Sequence, residues 1–153
     1  MIPAEQKTWD NRTFFETVEG ILADGGKIQL RIKGHSMYPT LRDGRDTVVL
    51  EKARPGSLRK GNIVLFRYYG GHILHRIVSI RGNTLTLQGD GAIRNRETAR
   101  IDDIVGLAIA VIRTDGQTTP LDTFRSRSWA WVWTRLRPLR RYLLGILRRF
   151  YPL

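Results

Sequence analysis

Ser36 stands in Gly34-His35-Ser36-Met37-Tyr38-Pro39-Thr40-Leu41, directly after a stretch that alternates apolar and polar residues. A serine just past a strand, on a turn that Gly34 makes possible, can aim its hydroxyl and its own N–H at one small volume, as an acyl-transfer nucleophile must. Gly34, Ser36 and Met37 are therefore the candidate nucleophile and oxyanion loop. An ordinary turn rich in serine and proline would carry the same letters.

A serine hydroxyl is a poor nucleophile near neutral pH unless a base lies within hydrogen-bond reach. The chain has three histidines. His35 adjoins Ser36 and would point away from it in extended backbone, and His72 follows Gly70-Gly71 in a turn. His75 shares a strand face with Ile73 and Ile77, where neighbours hold the ring and shield it from water. A histidine that merely packs in the core or at the surface would suit the same place. Asp90, in the turn Gly89-Asp90-Gly91, is the candidate to orient the imidazole, and it is equally suited to bonding its own turn backbone. His72 and His75 are three apart and face opposite sides of a strand, so they make a poor metal pair and no metal or organic cofactor is expected. The absence of cysteine excludes disulfides, thiolate metal sites and a cysteine nucleophile.

The elements that must position these groups follow from periodicity. Thr13 precedes Glu16 by three residues, and Phe14, Phe15, Val18, Ile21 and Leu22 recur at helical spacing until Gly25-Gly26, which predicts a capped amphipathic helix. Ile28 to Lys33 alternates strictly and reads as a half-buried strand. Further strands are expected at Thr47 to Glu51, Asn62 to Tyr69, Ile73 to Ile80, Thr84 to Gln88 and Ile104 to Ile112, with turns at Pro55-Gly56, Gly70-Gly71 and Gly82-Asn83. Many short strands with tight connections suggest a mainly β domain, a coiled antiparallel sheet or partly open barrel with the first helix covering one side. The expected organisation is a helical segment over 1–27, a catalytic domain over 28–121 and a tail over 122–153.

Four pieces of text, in this order, resemble the signal peptidases and the related self-cleaving SOS repressors of the LexA type, one clan of serine peptidases. They are the nucleophile octapeptide, Lys60-Gly61-Asn62-Ile63-Val64-Leu65-Phe66, Leu74-His75-Arg76-Ile77-Val78, and Gly89-Asp90. The resemblance covers about Ile28 to Ile112 and implies the coiled sheet of that clan, with Ser36 as nucleophile. Where the repressors and most bacterial signal peptidases carry a lysine base, the endoplasmic-reticulum-type signal peptidases carry histidine, and His75 stands there. No lysine follows Lys60. Gly34 takes the place of the signal peptidases' oxyanion serine, as in repressors, so the resemblance implies an oxyanion hole of backbone N–H groups. The usual Gly-Asp after the nucleophile is spread out as Gly44-Arg45-Asp46, the second Gly-Asp has become Gly61-Asn62, and Glu97 and Asp102 are the acids nearest the family's second acid.

The chain carries a net charge of +12, and eight arginines with no acid lie between Arg125 and Leu153. There Trp129, Trp131 and Trp133 and a series of leucines interleave with Arg140, Arg141, Arg148 and Arg149. On a helix, Leu136, Leu139, Leu143, Leu147 and Phe150 would form one apolar stripe, with Pro138 kinking or dividing it. The tail is too charged to span a bilayer and suits an anionic interface; packing on the body or on a second subunit is the alternative, and nucleic acid is the weaker fit. The first thirty residues lack the apolar run of a signal peptide or anchor, which points to a cytoplasmic or peripheral membrane location. The expected activity is a signal-peptidase-like Ser-His endopeptidase acting on a precursor protein or peptide. A self-cleaving regulator and a non-catalytic membrane-associated protein that keeps the fold are the alternatives.

Overall fold

The computed structural model describes residues 11–54, 56–121 and 124–150. The rest of the expected first segment and tail, and Pro55 of the expected Pro55-Gly56 turn, lie outside the described residues. Helix α1 (Asn11–Ala23) buries Val18 and Leu22, one turn apart. It stops where Gly25 N–H donates to Leu22 O and Gly26 N–H to Ile21 O, with Gly25 at φ +85°. This left-handed closure satisfies carbonyls that would otherwise be orphaned, and a residue with a Cβ adopts it only under strain.

Eight strands follow: β1 (Ile28–Arg31), β2 (Thr47–Glu51), β3 (Ile63–Tyr68), β4 (Gly71–Arg81), β5 (Thr84–Gln88), β6 (Glu97–Arg100), β7 (Ile104–Ile112) and β8 (Thr118–Pro120). They form one antiparallel sheet in the order β1-β2-β7-β3-β4-β5-β6, with β8 paired to β7 beside β3. The sheet does not close, so β1 and β6 are edges. Breaks in register at Val49/Leu50, Leu65/Phe66 and Ile77/Ser79 mark the irregularities that coil it.

Two apolar clusters lie on the two faces. Ile63 and Leu65 join Val48, Leu50, Val111 and the α1 side chains Val18 and Leu22. Val64 and Phe66 join Ile77, Leu85, Leu87 and Ala99. Because β3 feeds both cores, its sequence is a continuous apolar run rather than an alternating one. Gly106 of β7 lets α1 come close, since a Cβ there would stand 3.0 Å from Leu22 Cδ1.

After β8 come α2 (Phe124–Arg135), a 3-10 turn at Arg137–Leu139 and α3 (Arg140–Phe150). Pro138 divides the two helices, as its missing N–H requires. Among the described residues no helix is long and apolar enough to cross a membrane.

The expected β-strands were recovered with ends shifted by a residue or two, but β6 and β8 were not foreseen. Both are short, and β8 has the composition of a loop. The predicted tail stripe is rotated: Leu139 and Phe150 are exposed, while Leu143, Leu144 and Leu147 pack inward with Tyr38 and Trp133.

Candidate active site

The candidate nucleophile loop is pinched at its base. Ile32 N–H donates to Asp46 O and Gly44 N–H to Ile32 O, so 32–46 leaves the sheet and returns to the same place. Within it Gly34 has φ +84° and donates its N–H to Asp43 Oδ1 at 2.7 Å. Asp46, nearly fully buried, accepts from Arg42 N–H at 2.8 Å and from Arg113 Nη1. The spread Gly44-Arg45-Asp46 spacing is thus accommodated, with Gly44 in the left-handed region at φ +64°.

Met37 and Tyr38 anchor the turn that bears Ser36. Met37 is sunk into the core shared with α1, and Tyr38 packs against Trp133 and Leu144. Ser36, just before them, stays exposed. Its carbonyl accepts from Gly91 N–H at 2.8 Å, which ties the Ser36 turn to Gly89-Asp90-Gly91. Among the described residues the N–H groups of Ser36 and Met37, the donors an oxyanion at this turn would use, make no hydrogen bond.

His75 lies on β4 opposite Val64 of β3, buried, with its ring near Phe66. Its Nδ1 is 2.7 Å from Glu97 Oε2, and both side chains are largely shielded from water. A carboxylate at Nδ1 accepts the Nδ1–H hydrogen bond, which keeps the ring proton on Nδ1 and leaves Nε2 bare, the tautomer a general base needs. Nε2 points to the nucleophile turn: a Cβ on Gly89 would stand 2.9 Å from it and would collide with Ser36 O. The imidazole and the serine turn therefore both face the one side of Gly89 where a Cβ would stand. A serine side chain that turns toward Nε2 could give up its proton there.

Asp90 does not orient the imidazole. His75 and Arg76 are adjacent on β4 and face opposite ways, and Asp90 lies on the Arg76 side. Its carboxylate accepts from Arg76 Nε at 2.8 Å and Nη2 at 2.7 Å, and also from the Thr40 hydroxyl. Arg76 reaches on to Gly61 O at 2.8 Å. Asp90 thus fastens three turns together through a buried bidentate pair, and Glu97 holds the histidine. Of the two acids the sequence left open, Asp102 sits in the exposed 3-10 turn before β7. The Glu97 position could not be read because β6 was not foreseen; the alternation of Glu97-Thr98-Ala99-Arg100, with Ala99 inward, was the available signal.

His72 is bonded elsewhere, with Nε2 2.6 Å from Glu19 Oε1 and its ring stacked on Phe15. Arg67 Nε also donates to Glu19 Oε1 at 2.9 Å. The hydrogen bond from Arg67, reinforced by His72, outweighs burial and holds the Glu19 carboxyl down at about 2.

The tail is joined to the site. Trp133 and Arg140 are each only 3% exposed, so these two residues cannot touch a membrane as expected. Trp133 Nε1 donates to Asp90 O at 3.0 Å, Arg140 Nη1 to Ala92 O at 3.2 Å, and Trp129 Nε1 to the Thr40 hydroxyl at 3.1 Å. Arg140 also lies over the Trp133 ring. Trp131, Arg141, Arg148 and Arg149 remain exposed.

No curated protein matches the chain. Residues 2–117, which carry the Ser36 turn, His75, Asp90 and Glu97 but neither C-terminal helix, match the family model described as Peptidase S24-like. With that match over most of its length, on a coiled sheet that brings a serine turn and a carboxylate-bound histidine to one glycine, the chain belongs to the Peptidase S24-like family.

Proposed function

We propose that the protein is a serine endopeptidase that cleaves the leader or signal segment of a precursor, with Ser36 as nucleophile, His75 as general base and Glu97 as the group that holds the imidazole. One observation carries this reading: Glu97 occupies Nδ1 while Nε2 and the Ser36 turn meet on the Cβ side of Gly89. His75 takes the proton as Ser36 Oγ attacks the scissile carbonyl, then gives it to the leaving amine. The free N–H groups at Ser36 and Met37 receive the oxyanion. Water, activated by the same imidazole, releases the acyl group from Ser36.

An extended substrate has a place to bind. Among the described residues, β4 from Gly71 to His75 is paired by β3 alone, since β5 joins it from Arg76 onward. β1, which leads into Ser36, is paired by β2 alone. A peptide added to either free edge would present its carbonyl between Ser36 and His75.

The test is reaction of the intact chain with a serine-directed acylating probe, followed by mass spectrometry. One label on Ser36, absent from Ser36→Ala and His75→Ala and strongly slowed in Glu97→Gln, is the expected result. Undiminished labelling of Ser36→Ala overturns the assignment. Self-cleavage would appear in the same samples as two fragments whose rate of formation does not depend on protein concentration.

A further inference from the structure

The two C-terminal helices have an inner and an outer side of different character. The inner side, through Trp133, Arg140 and Leu144, is committed to the catalytic turns. The outer side presents Trp131 at 63% exposure, Tyr142 at 60%, Phe150 at 72%, and the aliphatic Leu139 and Ile146. Leu139, Tyr142, Ile146 and Phe150 follow one another at spacings of three and four, so they form one continuous ridge. The exposed Arg149 flanks it, Arg141 and Arg148 project from the far flank of the same helix, and Arg141 and Arg135 lie over the Tyr142 and Trp131 rings.

We infer that this ridge is a docking surface for an anionic bilayer, and that docking holds Ser36 beside the lipid surface. The chemistry separates a bilayer from other anionic partners. Exposed aliphatic side chains have no use against a phosphate backbone, whereas acyl chains accept them. Tryptophan and tyrosine rings and arginine stems suit the boundary between headgroup and hydrocarbon. The frame is of one sign: no acid occurs between Arg125 and Leu153.

Positive charge is in surplus on the inner side too. Among the described residues the Nε atoms of Arg137 and Arg140 are buried and meet no hydrogen-bond partner. Burial, with Arg96 acting in the same direction, lowers the Arg137 guanidinium from its ordinary value; burial lowers that of Arg140, opposed by Asp90 and reinforced by Arg137, Arg76 and Arg96. These inner cations lie away from the exposed ridge, so the charge that would meet a leaflet is that of Arg141, Arg148 and Arg149.

Its consequence for substrate choice rests on the endopeptidase reading. The helix that docks is hydrogen-bonded to Asp90 and Ala92, and their turn is bonded to Ser36. Precursors tethered to the same membrane are then the substrates within reach.

The test is co-sedimentation of the full chain with vesicles of phosphatidylcholine containing about one third phosphatidylglycerol, against phosphatidylcholine alone. Binding to the anionic vesicles should be at least about tenfold tighter and should weaken, without vanishing, as salt rises toward about 1 M. Ile146→Asp with Phe150→Asp, and separately Arg141→Glu with Arg148→Glu and Arg149→Glu, should each cost about tenfold or more. All five positions are exposed, and near-ultraviolet circular dichroism of the tryptophans reports the fold of each variant. Equal binding to both vesicle types, no binding, or retention of binding by both folded variants overturns the inference. So does duplex DNA bound as tightly as lipid with no effect of the aspartates. Ser36→Ala should bind as the parent does, so a chain that takes the acylating probe yet does not sediment fails on docking alone. One that sediments but takes no probe fails on catalysis alone.

Discussion

Two histidines three positions apart on β4 each meet a glutamate, His72 with Glu19 at 2.6 Å and His75 with Glu97 at 2.7 Å. Each ring also has an aromatic neighbour, Phe15 and Phe66 respectively. The local chemistry is almost the same, yet one pair fastens α1 to the sheet and the other faces the Ser36 turn. What separates them is the free nitrogen. Glu19 takes Nε2 of His72, whereas Glu97 takes Nδ1 of His75 and leaves Nε2 toward Gly89. A His-Glu pair becomes a candidate base only where its remaining nitrogen meets a nucleophile.

The comparison breaks most sharply on the reaction rate with the acylating probe. His75→Ala should lower it by about 10⁴-fold or more, while His72→Ala should stay within about twofold. Equal losses from the two would mean that neither acts as base. Glu97→Gln should cost about 10³-fold, because an amide can leave the imidazole in the wrong tautomer, and Glu19→Gln should again be nearly silent.

Gly89→Ala tests the meeting point itself. The new methyl collides with Ser36 O and crowds His75 Nε2, so labelling should fall by about 10²-fold or more while the melting temperature changes less than it does for Asp90→Asn. Asp90→Asn leaves Arg76 buried with a weakened partner, and denaturant unfolding should show a loss of about 3 kcal/mol.

The smallest effect is the most specific to the His72 side. Glu19 is held at about 2 against an ordinary 4.5, chiefly by Arg67. A carboxyl lowered in the folded state contributes stability that is present above its unfolded value and is lost as pH falls from about 4.5 toward about 2. Melting temperature should therefore drop through that window, and Glu19→Gln should flatten part of the drop. At neutral pH the same substitution should cost only about 1 kcal/mol, because the Arg67 side chain is half exposed and water screens the pair.

Much of this protein was legible in its residues alone. Alternation over Ile28 to Arg31, the glycines that end α1 and the Gly70-Gly71 and Gly82-Asn83 turns act within a few positions, so they announce β1, α1 and the hairpins of β4 without tertiary context. Ser36 and His75 stood out as candidates for a similar reason: each lies in a short run of text whose type and spacing resemble one peptidase clan. What the tertiary structure alone decided is which acid meets which base. Asp90 and Glu97 both follow β5 closely, but the face of β4 that each reaches depends on a four-residue strand too short to leave a clear pattern, and it sent Asp90 to Arg76 and Glu97 to His75. The orientation of the tail was decided in the same way. The apolar arc of α3 spans more than half the helix, so periodicity cannot say which part turns inward; contact with Tyr38 and the Asp90 turn chose Leu144 and Trp133 and left Ile146 and Phe150 outside.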